Sequence, residues 1–203
     1  MKKTVLFAAF LSLLSLSITA QSVVLKTEGQ DPQYVETIKG RAQKIVDGLQ
    51  LADAGKAENV RNIIANRYFL INNIHSKYDK KTQEDALYAE LYKHHFELAS
   101  ALALYLNEEQ IEAVKDGLTY GRLKRDYNAQ LEMIPSLTDE EKAQVLIWLK
   151  EAREYAMDAA DSKGKHFWFD KYRGRTNNWL SARGYDLKKE RENWMKRSAE
   201  RSK

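Results

Sequence analysis

The chain has 203 residues, no cysteine and a formal net charge of +4. The absence of cysteine excludes disulfides and thiolate metal sites. A chain of this length can bury a sizeable core without covalent staples, and a single domain is the default expectation.

The N-terminus carries the pattern of a secretory signal peptide over residues 1–20. Lys2 and Lys3 precede the apolar run Val5–Leu16, and Ile18-Thr19-Ala20 supplies small residues at a cleavage site. The mature chain is therefore predicted to start at Gln21 and to be periplasmic or secreted. No later segment approaches the length of a membrane span, so no stable membrane insertion is expected after cleavage.

Helical periodicity runs through nearly the whole chain, whereas β-branched alternation is limited to a short run at Val23–Lys26. We therefore predict an all-α fold, a single-domain bundle of about seven helices over residues 21–203. Capping signals and apolar stripes place the helical segments at Asp31 to about Leu51, about Lys56 to Tyr78, Thr82 to about Tyr105, Asn107 to Gly117, Arg122 to Met133, Thr138 to before Gly164, a segment capped by Gly184, and Asp186 to Trp194.

The segment from Thr82 to Tyr105 has an unusually wide apolar face. Leu87, Leu91 and His94 lie on one side of it, and Tyr88 and Tyr92 broaden that side. This width predicts a central helix with neighbours on two sides. The position of His94 within the stripe favours a hydrogen-bonded interior histidine over a metal ligand.

Two acidic clusters, residues 108–109 and 139–141, fall in first helical turns, where the helix dipole accounts for their charge. Another group, Asp158, Asp161, His166 and Asp170, is close in sequence and could form an acid/base cluster, although the periodicity does not require it. We predict no catalytic residue, no metal site and no cofactor.

The C-terminal segment 163–203 is basic, with 13 Lys and Arg against 5 Asp and Glu, while the rest of the mature chain is acidic. This asymmetry has two interpretations: the segment docks on the acidic body, or it meets an acidic ligand. Nucleic acid is not an expected partner, because no nucleic-acid-binding motif occurs and the chain is predicted to be exported.

Within this segment, the stretch Lys165–Asp186 combines aromatic rings, planar cations and amides, which suit a polar ligand such as a sugar. If the stretch is helical, one face is shared by Trp168, Tyr172, Arg175 and Trp179. That face is either a core stripe or a ligand platform. The predicted ligand-binding residues are Trp168, Tyr172, Arg173, Arg175, Asn177, Asn178 and Trp179.

The run WFDKYRGRTNN at residues 168–178, followed by GYDLKK at 184–189, resembles motifs of a family of small secreted helical proteins from gut Bacteroidetes. That family has no assigned function and is described as sugar-binding, in the setting of polysaccharide use. The resemblance implies a carbohydrate ligand and identifies no catalytic residue.

A second, weaker resemblance is to periplasmic chaperones of the Spy and CpxP type, which carry Leu-Thr-x-x-Gln motifs. Residues 106–110 lack the threonine and residues 137–141 lack the glutamine. The expected function is an exported, non-catalytic carbohydrate-binding accessory protein whose ligand could be acidic. The alternatives are a carbohydrate-active enzyme and a helical chaperone, and no sequence feature indicates an oligomeric state.

Overall fold

The computed structural model of the chain describes residues 22–201, and the predicted signal peptide lies outside them. Nine α-helices form this described part: α1 Pro32–Asp47, α2 Ala54–Lys77, α3 Glu84–His94, α4 Glu97–Leu102, α5 Glu108–Leu118, α6 Arg122–Met133, α7 Asp139–Met157, α8 Ser162–Ala182 and α9 Leu187–Arg201. The all-α prediction is confirmed. None of these helices is long and apolar enough to cross a membrane.

The helix starts were largely predictable, because capping is local chemistry. Asp31, which precedes Pro32, caps α1 by accepting a hydrogen bond from the Tyr34 N–H. Both capping boxes form, at Asn107 and at Thr138. The acidic clusters 108–109 and 139–141 therefore occupy first helical turns, as expected.

Three predicted boundaries in the first half of the chain were wrong. Helix α1 ends at Asp47 and not near Leu51, and α2 begins at Ala54 and not near Lys56, so Gly55 lies inside the first turn of α2. Helix α3 begins at Glu84 and not at Thr82, because the Asp79 carbonyl accepts the N–H groups of both Thr82 and Gln83 in a preceding turn.

The predicted helix 82–105 is divided into α3 and α4 at His95 and Phe96, so the eight helical segments placed from the sequence become nine helices in residues 22–201. A buried guanidinium stabilises this break. Arg67 Nη1 donates to the His94 carbonyl at 2.7 Å, and in a continuous helix that carbonyl would accept the Leu98 N–H. A contact from α2 thus replaces a hydrogen bond within the helix.

Two main hydrophobic clusters organise the helices. The larger joins α1, α2, α4 and α5 around fully buried side chains such as Ile38, Ile64 and Leu102. The second joins α6, α7 and α8 around Phe169 and Val145. Helices α7 and α8 pair along most of their length, and this pairing positions the aromatic–basic stretch.

Part of the basic C-terminal segment docks on the acidic body. Arg183 pairs with Glu141 at 2.7 Å, and Arg201 pairs with Glu132 at 3.3 Å. Hydrogen bonds from Tyr185 and Arg183 lower the pKa of Glu141 to about 2. Helix α9 continues past the predicted end at Trp194, because Arg197 donates to the Glu132 carbonyl at 2.8 Å and holds the last turns against α6.

Two glycines of the α8 region have opposite conformational demands. Gly184 follows the helix end with φ +95°, and its N–H donates to the Ser181 carbonyl. Gly174 lies in the helix interior with open space around the position of a Cβ. We expect Gly184→Ala to lower the free energy of unfolding by about 1–2 kcal/mol and Gly174→Ala to raise it by about 0.5–1 kcal/mol.

Urea denaturation followed by circular dichroism measures both changes. Effects of the same sign in the two variants would contradict the assigned end of α8.

Candidate functional site

The predicted shared face of α8 exists, and it packs against α7. Trp168 stacks on Tyr155 with ring centroids 4.6 Å apart, and Trp179 meets Trp148 edge-on at 5.1 Å. Arg175 lies over the Trp148 ring at 4.8 Å. The face is therefore in large part a core stripe between two helices.

The seven predicted ligand-binding residues do not converge on one cavity. Tyr172 is buried, with 6% of its surface exposed, whereas Trp168, Trp179 and Asn177 are half-buried. Arg173 and Asn178 lie exposed on the outer side of α8, and Arg173 pairs with Asp170 at 3.3 Å.

Arg175, which is also exposed, lies 3.6 Å from Glu151. Of the seven residues, Trp168 alone also lines the large groove on the molecule.

That groove, here called the aromatic groove, lies between α3 with the α3–α4 break on one side and the α7–α8 junction on the other. Its volume is about 890 Å³, within the range of small-molecule sites. Its lining includes polar and aromatic side chains from both sides, namely His75, Lys80, Tyr88, Tyr92, His95, Phe96, Glu151, Glu154, Tyr155, Asp158, Lys163, Phe167 and Trp168.

Aromatic side chains stand on both walls of the aromatic groove with much of their surface free. Tyr92 and Phe96 on the α3–α4 side are 70% and 62% exposed, and Phe167 on the α8 side is 56% exposed. Tyr88 and Tyr155 are exposed to a smaller extent. A soluble domain rarely leaves so many rings together in water, so this patch is a candidate binding surface.

The exposure of Tyr88 and Tyr92 corrects the prediction of a central helix with neighbours on two sides. Helix α3 packs on α2 through Leu87 and Leu91, which are buried. Its second side borders the aromatic groove.

A buried polar network, here called the Asp158 network, lies beneath these aromatic walls. The Asp158 carboxylate accepts from Arg67 through one oxygen and from His95 Nδ1, at 2.7 Å, through the other. His75 Nε2 donates to the Asp158 backbone carbonyl at 2.8 Å. Because Arg67 also binds the His94 carbonyl, the network joins α2, the α3–α4 break and the end of α7.

Glu154 extends this network one turn back along α7. It accepts from Lys115 at 3.0 Å and lies 3.5 Å from His95 Nε2. Burial alone would raise the pKa of Glu154, but hydrogen bonds from His95 and Lys115 outweigh it and lower that pKa to about 2. Hydrogen bonds to Asp158 and Glu154 raise the pKa of His95 to about 9. The site thus contains an imidazolium between two carboxylates at neutral pH.

The interior histidine is therefore His95 and not His94, which lies at the margin of α3 and bonds Glu97 at 2.8 Å. The acid/base cluster considered from the sequence is also divided. Asp158 and Asp161 both line the aromatic groove, and Asp161 in addition caps α8.

His166 and Asp170, the other two members, both bind Arg122 on α6. Within residues 22–201, no three His, Cys, Asp or Glu side chains are arranged to hold a metal ion.

A family model described as protein of unknown function, DUF3826, matches residues 35–199. The chain belongs to the DUF3826 family. No curated protein matches the sequence. The part that DUF3826 matches contains every lining residue of the aromatic groove.

The Asp158 network predicts a large cost for removing its carboxylate. Asp158→Asn leaves the Arg67 guanidinium buried without its counter-charge, so we expect the free energy of unfolding to fall by about 3–5 kcal/mol. The matched control is Glu58→Gln, which breaks a partly exposed pair between Glu58 and Arg61, also on α2, and should cost less than about 1 kcal/mol. If urea denaturation gave equal losses of unfolding free energy in Asp158→Asn and Glu58→Gln, the Asp158 network would not stabilise the fold.

The raised pKa of His95 predicts a pH dependence of stability. A folded-state pKa of about 9 against an ordinary value of 6.5 means that the stabilisation is complete below pH 6.5 and is lost as the pH rises through 9. Burial lowers the pKa of Lys165 to about 8, which acts in the opposite sense. The difference in unfolding free energy between the wild type and His95→Gln isolates the contribution of the histidine.

We expect that difference in unfolding free energy to shrink between pH 6.5 and 9. A difference that stays constant would contradict a charged His95, and NMR titration of its imidazole provides the direct reading.

Proposed function

We propose that this protein is an exported, non-catalytic carbohydrate-binding accessory protein that serves polysaccharide use, and that the aromatic groove holds the sugar. The observation that supports this most is the presence of exposed aromatic rings on both walls of one groove. The N-terminal signal pattern supports export, and the motif resemblance at residues 168–189 supports a sugar ligand.

The chemistry of the lining suits a sugar. The C–H faces of pyranose rings pack on flat aromatic surfaces, and Tyr92, Phe96 and Phe167 offer such surfaces without being needed for the core. Sugar hydroxyls donate hydrogen bonds to fixed acceptors, which Glu151 and Glu154 on the lining can supply as carboxylates.

Two lysines, Lys80 and Lys163, also line the aromatic groove and are exposed. Ammonium groups there suit a sugar that carries a carboxylate, in agreement with an acidic ligand.

The protonation states of the lining favour binding over catalysis. Glycoside hydrolysis uses a carboxylic acid with a raised pKa as its proton donor. Glu154 has a pKa lowered to about 2, and both oxygens of Asp158 accept hydrogen bonds from cationic partners. Glu154 therefore acts as a hydrogen-bond acceptor near neutral pH and not as a proton donor, which suits a binding site.

Tyr92 provides the sharpest test, because its ring is exposed and its loss should leave the fold intact. We expect the chain without residues 1–20 to bind defined glycans on an array, and Tyr92→Ala to weaken that binding about tenfold, since stacking contributes about 1–1.5 kcal/mol. The control Leu104→Ala removes an equally exposed apolar side chain that does not line the aromatic groove.

Both variants should keep the wild-type melting temperature. Equal glycan binding by wild type and Tyr92→Ala would exclude the aromatic groove as the site. Suppression of client aggregation without glycan binding would favour the chaperone alternative, and release of reducing ends would favour an enzyme.

A further inference from the structure

A second cavity, here called the cationic cavity, lies on the other side of the α7–α8 connection from the aromatic groove. Its volume is about 210 Å³, and α1, α2, the α5–α6 junction and the start of α8 surround it. Its polar lining consists of Tyr34, Arg41, Arg67, Tyr68, Asn72, Tyr120, Asp161, Ser162 and Lys165. Three of these side chains are cationic and one, Asp161, is anionic.

Lys165 is an unusual component of this lining because it is a buried cation without a carboxylate partner in residues 22–201. Only 5% of its surface is exposed, and its Nζ donates to the Leu118 carbonyl at 2.6 Å. The ammonium lies 5.2 Å from the centre of the Tyr68 ring and 5.6 Å from that of Tyr120, and both tyrosines line the cationic cavity. An ammonium has three donors, and a buried charge is costly unless it is paired.

Two arginines add to this excess of positive charge. Arg67 is buried, and its Nε–H has no hydrogen-bond partner in the described part of the chain, although its two other nitrogens are occupied. Arg41 is exposed on α1 and forms no ion pair with any residue of 22–201. The single carboxylate of the lining, Asp161, is engaged in capping α8 through the Gly164 N–H.

The phenols complete the arrangement. Burial raises the pKa of Tyr68 to about 12, so its hydroxyl stays protonated and can donate a hydrogen bond. Burial, with the charge of Arg41, also lowers the pKa of Lys165 to about 8, as expected for an ammonium that lacks a counter-ion. An anion in this space would meet cations and hydroxyl donors together.

We propose that the cationic cavity is a binding site for a small oxyanion, a carboxylate or phosphate group, held by Lys165 and Arg41 with Tyr68 as a further donor. A guanidinium and an ammonium that converge on one space recognise such groups by charge-assisted hydrogen bonds. The volume admits a small ion or the charged end of a small molecule. This proposal does not rest on sugar binding in the aromatic groove.

The test is calorimetric titration of the chain without residues 1–20 with inorganic phosphate and, separately, with D-glucuronate, at constant ionic strength. D-glucose serves as the uncharged counterpart of glucuronate. Saturable binding of either anion that persists in Tyr92→Ala, and so does not occur in the aromatic groove, supports the proposal and identifies its source as a phosphate or a sugar acid. Absence of binding by both anions, or loss of all anion binding in Tyr92→Ala, overturns it.

Variants locate the site. Arg41→Gln changes an exposed residue and should raise the dissociation constant of the bound anion about tenfold, while Lys44→Gln, an exposed cation one turn away on α1, should leave it unchanged. Lys165→Met should abolish binding. If Lys165→Met fails to fold, Arg41→Gln decides alone. Equal losses of anion affinity in Arg41→Gln and Lys44→Gln would indicate non-specific attraction and overturn the proposal.

Discussion

The aromatic groove depends on one buried carboxylate. Asp158 holds Arg67 of α2 and His95 of the α3–α4 break, so three separate stretches of chain meet at its two oxygens. A buried ion pair adds little net stability, because desolvation of the charges offsets most of their attraction. Its consequence here is geometric: it fixes where α3 stops, and therefore where the wall that carries Tyr92 and Phe96 stands relative to α8.

The pairing of α7 with α8 explains why the residue types in α8 do not by themselves reveal the role of that helix. The sequence pattern is equally consistent with a sugar platform or a core stripe at Trp168, Arg175 and Trp179. In the structure these three side chains pack against α7. Arginine stacked on tryptophan serves packing and recognition by the same physics, namely a weakly hydrated cation over a ring. Only the position of α7 distinguishes the two uses, and no local pattern specifies that position.

The predictable part of the fold is the part set by local chemistry. Asp31, Asn107, Thr138 and Gly184 act within a few residues of their own position, and each forms the helix end that its sequence context indicates. The break at His95 was missed because its cause, Arg67, is 27 residues away in sequence from the His94 carbonyl that it binds.

The aromatic groove was missed for the same reason. Asp158 and Arg67 are separated by 91 positions, and nothing in either neighbourhood indicates the other. One signal was present, since Tyr88 and Tyr92 repeat along a face that was too wide for a single helix contact. That width was interpreted as two packing neighbours, whereas the second neighbour is the space of the groove.

The central claim is that sugar binds between α3–α4 and α8 and not on the outer side of α8. Two-dimensional NMR titration of the chain without residues 1–20, with a glycan that it binds, tests this residue by residue. If the aromatic groove holds the sugar, the largest chemical-shift changes fall on Tyr92, Phe96 and Phe167, and the signals of Arg173 and Asn178 do not change. Shifts centred on Arg173 and Asn178, with the groove aromatics unchanged, would contradict it.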